Sequence, residues 1–254
     1  MRVFFLIIFI CFVYLPVEAR QSAQLMFDQA NTLLEDGDYF GALDAYRSIE
    51  KNGEVSGALY LNMGIAATQI DSLGLAKFYF LRAEQFNTSQ EAAKEALFYV
   101  ESRFSRQSAV LPKLPWDKAV DALKSGSGAT RVFIVGFILI FISVCLILLN
   151  WFGQLTLKRQ RSIIFTTTVT SILTLLLAFY VDYVTHRYHS GVITDKQVQI
   201  TQQPNETADL VSLAYEGYTI TVDKFESEKT EGWFYIRLGN GQYGWIKIGS
   251  AKIL

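Results

Sequence analysis

Side chains suited to chemistry are scarce in this sequence. It holds two His, His186 and His189, and two Cys, Cys11 and Cys145, among 254 residues. The two His stand three apart, with Asp182 one turn earlier, so on a helix the three would lie together. A zinc site needs more ligands than two His at that spacing assure, and a pair at the edge of an apolar run reads more simply as interfacial. Both Cys lie within apolar runs, so neither a disulfide framework nor a wall-hydrolase nucleophile is legible. The expectation is a protein that is not an enzyme, with no catalytic residue, no metal and no cofactor. Its net charge of −1 also argues against nucleic acid, which needs a basic face. What is left to do the work is binding surface, and the elements that carry it follow from the pattern of apolar residues.

Three apolar stretches set the frame. "MRVFFLIIFICFVYLPVEAR" opens with Arg2, continues from Val3 to Leu15 without charge, and offers small residues at Val17-Glu18-Ala19. This is the layout of a secretory signal peptide over 1–19, cut after Ala19. An uncleaved anchor is the alternative, but the apolar core falls short of the ~20 residues a comfortable span needs. Cys11 follows Phe9-Ile10, not the small residues of a lipid attachment signal. The run 132–152 then holds 21 residues without a charge, closed by Trp151 and Phe152 as interfacial anchors. A second run covers 162–181, its Thr hydroxyls able to bond carbonyls one turn back. The loop between them carries Lys158, Arg159 and Arg161. Positive charge in a short loop marks the cytoplasmic side, so both soluble parts are expected outside, in the periplasm. Neither run contains an acidic or basic residue before Asp182, which argues for an anchor and against an ion path.

Between the signal and the first span the chain repeats itself. Ala30 pairs with Gly64, Ala42 with Ala76, Tyr46 with Phe80, Ile49 with Ala83 and Met26 with Tyr60, each at an offset of 34. Small residues recur where helices approach closely and aromatics recur where a gap must be filled. "GDY" at Gly37–Tyr39 reads as the turn between two helices, and "SQEAAKEALFYVESRF" from Ser89 as a third amphipathic helix covering the open end. The pattern resembles the tetratricopeptide repeat, with a plain helical bundle as the alternative. That resemblance implies a concave partner-binding face formed by Gln24, Phe27, Asn31, Leu34 and Glu35, then Ala58, Leu61, Ile65, Thr68 and Gln69. Residues 20–105 carry 7 Lys and Arg against 12 Asp and Glu, 7 − 12 = −5, a balance that favours basic partners where it is not mere solvated surface. In the linker 106–130, "PWDKAVDAL" reads as a short helix, lying on the membrane or simply connecting.

The end of the chain changes period. "GVIT", "QVQITQQP", "VSLAYEGYTITVDKF", "GWFYIRLGNGQYGWIKI" and "AKIL" read as strands divided by turns. "LGNG" at 238–241 is a hairpin signal placing Tyr235-Ile236 opposite Gly244-Trp245-Ile246. Gly217 suits a tight turn. The spacing of Gly217, Gly232-Trp233, Gly241 and Gly244-Trp245 resembles the bacterial SH3 domain and implies a small bent barrel. Trp233 and Trp245 are its candidate binding residues; the packing expectation places Trp245 inside the barrel and leaves Trp233 open.

The fold class expected is therefore a multidomain membrane protein. Its parts are a signal peptide (1–19), a helical repeat solenoid (20–105), a linker (106–130), a transmembrane hairpin (131–152 and 162–184, with a cytoplasmic loop at 153–161) and an all-β SH3-like barrel (190–254). This order resembles the BatE-like proteins of the Bacteroides aerotolerance (Bat) operon. The resemblance implies an inner-membrane adaptor working with other membrane or periplasmic proteins, von Willebrand-type Bat proteins among them, in oxidative or envelope stress. A sensor whose SH3-like end binds cell-wall peptide is the rival reading.

Overall fold

The computed structural model describes residues 23–106, 111–112, 115–124, 128–153 and 160–254. The expected signal peptide, Lys158 and Arg159 lie outside the described residues. The chain divides into two compact units. One combines the N-terminal helices with most of the C-terminal sheet; the other holds residues 110–189 and Asp223–Phe225.

In the first unit, helix α1 (23–35) is followed by α2 (Tyr39–Lys51), α3 (Gly57–Gln69), α4 (Leu73–Glu84) and α5 (Gln90–Arg103). The 34-residue pattern is the packing pattern. Ala30, Ala42, Tyr46, Ile49, Tyr60, Ala76, Phe80 and Ala83 all lie in one buried cluster. Gly64 shows why a small residue stands at its position: a Cβ there would lie 2.4 Å from the Phe80 ring. Gly37 takes φ +83° in the α1–α2 turn, a conformation glycine adopts at little cost. The next helix, α2, is capped by Asp38, whose carboxylate accepts from the Gly41 amide at 3.0 Å. Ser89 precedes α5 as expected, yet its hydroxyl does not cap that helix. It donates back to the Ala83 carbonyl at 2.7 Å, tying α5 to the end of α4.

Helix α5 begins a third step of the same period. Ala93, Leu97 and Val100 keep the buried face of Leu59, Met63 and Ala66. The face that α3 turns to α4, Tyr60, Gly64 and Ala67, becomes Lys94, Phe98 and Glu101, all exposed. Charge on that outer face is what ends a stack of helices without inviting another.

The sheet has seven antiparallel strands among the described residues: β1 (Tyr188–Ile193), β2 (Gln197–Thr201), β3 (Leu210–Tyr215), β4 (Thr219–Asp223), β5 (Trp233–Leu238), β6 (Tyr243–Lys247) and β7 (Ala251–Ile253). They run in the order β3-β2-β6-β5-β4-β1-β7. A one-turn helix, α9 (Lys224–Ser227), follows β4. The hairpin pairs Tyr235 with Trp245 and Ile236 with Gly244, one residue off the register of a two-residue Asn-Gly turn. Its turn has three residues, not two. Only Gly241 has positive φ, +88°, and its amide donates to Leu238, the geometry of a type I turn closed by a left-handed glycine. The core is aliphatic, built on Ile193, Ile200, Ile220, Val222, Ile236 and Ile246.

Helices and sheet meet within this unit. Val192 is part of the helical core cluster and Leu254 packs against it. Phe104 lies under Gly217, whose φ is +81° and where a Cβ would sit 2.2 Å from the ring. Arg106 stacks 4.3 Å over the Tyr215 ring and donates to its hydroxyl at 2.9 Å.

The second unit contains α6 (Pro115–Lys124), α7 (Gly128–Trp151) and α8 (Gln160–Arg187). Proline opens α6, where its missing N–H costs nothing. Helices α7 and α8 are long and apolar enough to cross a membrane, over Thr130–Trp151 and Arg161–Arg187. They pack through small residues. A Cβ on Gly136 would meet Leu175 at 2.6 Å, and Ser143, Ser171 and Ala178 are buried, as suits helices held by close contact in lipid. Thr166, Thr167, Thr168 and Thr174 all donate to the carbonyl four residues back, so their hydroxyls are satisfied within the helix.

Candidate interaction surfaces

The histidine pair does not survive as a unit of helix. Helix α8 ends at Arg187, so His189 belongs to β1. The His186 ring lies 2.9 Å from the Asp182 carbonyl and 3.4 Å from its carboxylate, while His189 approaches the His186 carbonyl at 3.3 Å. Among the described residues no three His, Cys, Asp or Glu side chains gather as metal ligands would.

The expected concave positions fall into two groups. Five are structural. Phe27 packs against Tyr46 at 5.9 Å. Asn31 accepts from the Tyr46 hydroxyl at 2.7 Å and from Asn62 at 2.9 Å, a bridge joining α1, α2 and α3. Leu34 and Leu61 pack on the helical core, and the Thr68 hydroxyl returns to the Gly64 carbonyl at 2.8 Å. Burial keeps the Tyr46 hydroxyl protonated above its usual range, partly offset by hydrogen bonding to Asn62. The remaining four, Gln24, Glu35, Ile65 and Gln69, are exposed, as is Ala58.

Sequence reasoning stopped this face one helix early. Adding 34 to Ile65 reaches Tyr99, and adding 34 to Gln69 reaches Arg103, both on α5. Ile65 is 37% and Tyr99 55% exposed, large apolar surfaces for positions in ordered helices. Arg103 lies 5.8 Å over the Tyr99 ring and 3.6 Å from Asp71. The extended strip is apolar at Ile65 and Tyr99, with Glu35, Gln69, Glu95 and Arg103 around it. The repeat offset was the signal that could have found it.

The second surface is the outer face of β5 and β6, and here a packing expectation is corrected. Trp245 is not inside the sheet's core. Strand alternation sends Phe234, Ile236, Gly244 and Ile246 to the core and Trp233, Tyr235, Arg237, Tyr243, Trp245 and Lys247 to the other face. The registered pairs there are Arg237 with Tyr243, Tyr235 with Trp245, and Trp233 with Lys247. Tyr235 meets Trp245 at 5.0 Å and stacks on Tyr243 at 6.2 Å. Trp233 and Trp245 are both half-buried. Gly244, which does face the core, lies so close to Ile200 that a Cβ there would be 2.4 Å away. Lys247 at one end is bonded to Glu206, whose carboxyl is held below its usual range by that hydrogen bond and the ammonium charge. Arg237 at the other end is exposed. Aromatic rows bounded by polar groups suit contact through stacking and desolvation.

No model of a protein family matches the sequence, and no curated protein is significantly similar to it.

Proposed function

We propose that this chain is a non-enzymatic adaptor of the bacterial inner membrane. In this reading α1–α5 act as a tetratricopeptide-type array and the sheet as an SH3-like module. Helices α7 and α8 cross the membrane as a hairpin, and both soluble parts face the periplasm. The complex served is one for aerotolerance or envelope stress, with von Willebrand-type Bat proteins as partners. The observation that carries the proposal is the shared unit. The helices before residue 107 and the sheet after residue 189 pack together although two membrane-length helices separate them in sequence. Parts that touch lie on one side of a membrane, which requires an even number of crossings. The outer side is supported by the signal-like N-terminus and the basic loop 153–161. Exposed Ile65 and Tyr99 on the array and the aromatic row on the sheet support a binding role.

The aromatic row also favours a second reading, a sensor that holds cell-wall peptide. One experiment separates them. Full-length protein extracted from membranes is expected to carry protein partners and not to sediment with purified sacculi. Trp245→Ala should leave the thermal midpoint within a few degrees, because the indole stands outside the core, while partner capture falls about tenfold or more, as for an aromatic hot spot. Sedimentation with sacculi, abolished by the same substitution, would establish the sensor instead.

A further inference from the structure

The turn between α3 and α4 is completed from outside the helices. In the first repeat the equivalent turn is self-sufficient: Gly37 takes the left-handed conformation and Asp38 caps α2. Thirty-four residues later the same two positions are Asp71 and Ser72. Asp71 holds φ +55°, a conformation uncommon outside glycine. Ser72 precedes α4, yet its side chain makes no capping bond. Both deficits are met by two residues of the C-terminal sheet region, Lys196 and Glu216.

Each atom has its own task. Glu216 Oε1 accepts from the Gly74 amide at 2.8 Å, in the first turn of α4. Glu216 Oε2 pairs with Lys196 Nζ at 2.8 Å. The same Nζ donates to the Asp71 carbonyl at 2.7 Å, just beyond the end of α3, and lies 3.5 Å from the Asp71 carboxylate. The polarity is right at both ends. An anion sits at a helix N-terminus and a cation at a helix C-terminus, each opposing the unsatisfied backbone groups there. Glu216 is buried, so water does not substitute for these partners. Burial works against the charge on Lys196, but hydrogen bonding to Glu216, with the charges of Glu216 and Asp71, raises its pKa above the usual lysine value. Its contribution is thus present throughout the neutral range and is lost only as pH rises through that raised value.

The helix sequence is cut to receive this contact. A Cβ on Gly74 would lie 2.5 Å from the Ile193 carbonyl and 2.7 Å from Glu216 itself. At the matching place in the first repeat stands Phe40, exposed, with nothing docked on it. Lys77, one turn further along α4, donates to the Gly217 carbonyl at 3.1 Å and pairs with Glu101 of α5 at 3.0 Å.

We propose that the C-terminal sheet completes the second repeat in cis, with Glu216 serving as the missing N-cap of α4 and Lys196 as the C-terminal counter-charge of α3. The second repeat is therefore incomplete without Glu216, 142 positions from Gly74, and Lys196, 125 positions from Asp71. Resting on the membrane-hairpin reading, one consequence concerns assembly: the array is finished only after the second span has returned the chain to the first side, so correct topology and a stable array are coupled.

Hydrogen exchange on the full-length protein in detergent tests the cap without depending on the membrane reading. Glu216→Ala is expected to speed exchange in the first turn of α4 about tenfold, the equivalent of losing a cap and its ion pair. The α1–α2 turn and the core strands at Ile236 and Ile246 should keep their rates. Glu216→Gln retains an acceptor for the Gly74 amide and should recover most of the protection. Ser72→Ala should change nothing, although a serine before a helix ordinarily caps it. The proposal is overturned if α4 is unaffected by Glu216→Ala, if Ser72→Ala matches that loss, or if the loss spreads evenly through the sheet. Reporter topology is read separately: both ends reading inside would overturn the orientation and leave these rates as they are.

Discussion

Phe80→Ala is expected to cost about 3–5 kcal/mol, the range for truncating a buried aromatic ring. Phe80 is 2% exposed and rests directly on Gly64, which has no side chain with which to refill the space. The neighbours that could relax inward, Tyr60 and Tyr79, are held in place by a stacked contact at 6.4 Å and by the bond from Arg82 to the Tyr60 hydroxyl at 2.6 Å. The cavity should therefore persist. A loss of that size is a large share of the ~5–15 kcal/mol that stabilises an ordinary domain. Hydrogen exchange should show α3 and α4 opening together, since they share the contact. Phe40→Ala removes the same side chain from an exposed site in the first repeat and should change stability by no more than about 0.5 kcal/mol. Equal effects at the two positions would mean that Phe80 does not hold its place in the core.

Ile236→Ala is expected to unfold the sheet. Ile236 is 1% exposed on β5, a strand flanked by β6 and β4. Removing its side chain costs about 2–5 kcal/mol. A sheet of this size holds little stability in reserve, because small units bury a small fraction of their surface. Tyr235→Ala, one residue earlier, cuts a larger side chain but on the outer face, where it lies against Trp245 and Tyr243 of β6 and not in the core. It should leave the sheet folded. Tryptophan fluorescence and exchange at β5 and β6 distinguish the two outcomes in the full-length protein. If Tyr235→Ala proves the more damaging, the assignment of faces is reversed.

These two predictions mark what the sequence makes legible. The offset joining Ala30 to Gly64 and Tyr46 to Phe80 is a local pattern, and local patterns survive translation into helix packing. Period-2 alternation and the turn residues likewise predict the β5–β6 hairpin, though not its register. It was the size of the indole that misled. Apolar bulk suggested burial for Trp245, whereas the alternation from Ile236 and Ile246 already assigns it to the opposite face. The spacing of His186 and His189 defines no helix face, because α8 ends at Arg187 and His189 belongs to β1. The cap on α4 could not be read at all. Ser72 has the residue type and place of an N-cap, and nothing near it in sequence says that a glutamate from the far end takes its role. The exposed strip reaches α5 at the repeat offset, but the small residues of the pattern give way there to Phe98 and Glu101, which hides the third step.

The account rests most heavily on where the two ends of the chain lie, and topology reporters measure that directly. Fusions after residue 128, near residue 160 and at the C-terminus are expected to read outside, inside, outside. Replacing Lys158, Arg159 and Arg161 by Gln should weaken that preference, because positive charge in a short loop sets orientation. A C-terminus that reads inside while residue 128 reads outside would contradict the account, for Glu216 could not then reach Gly74.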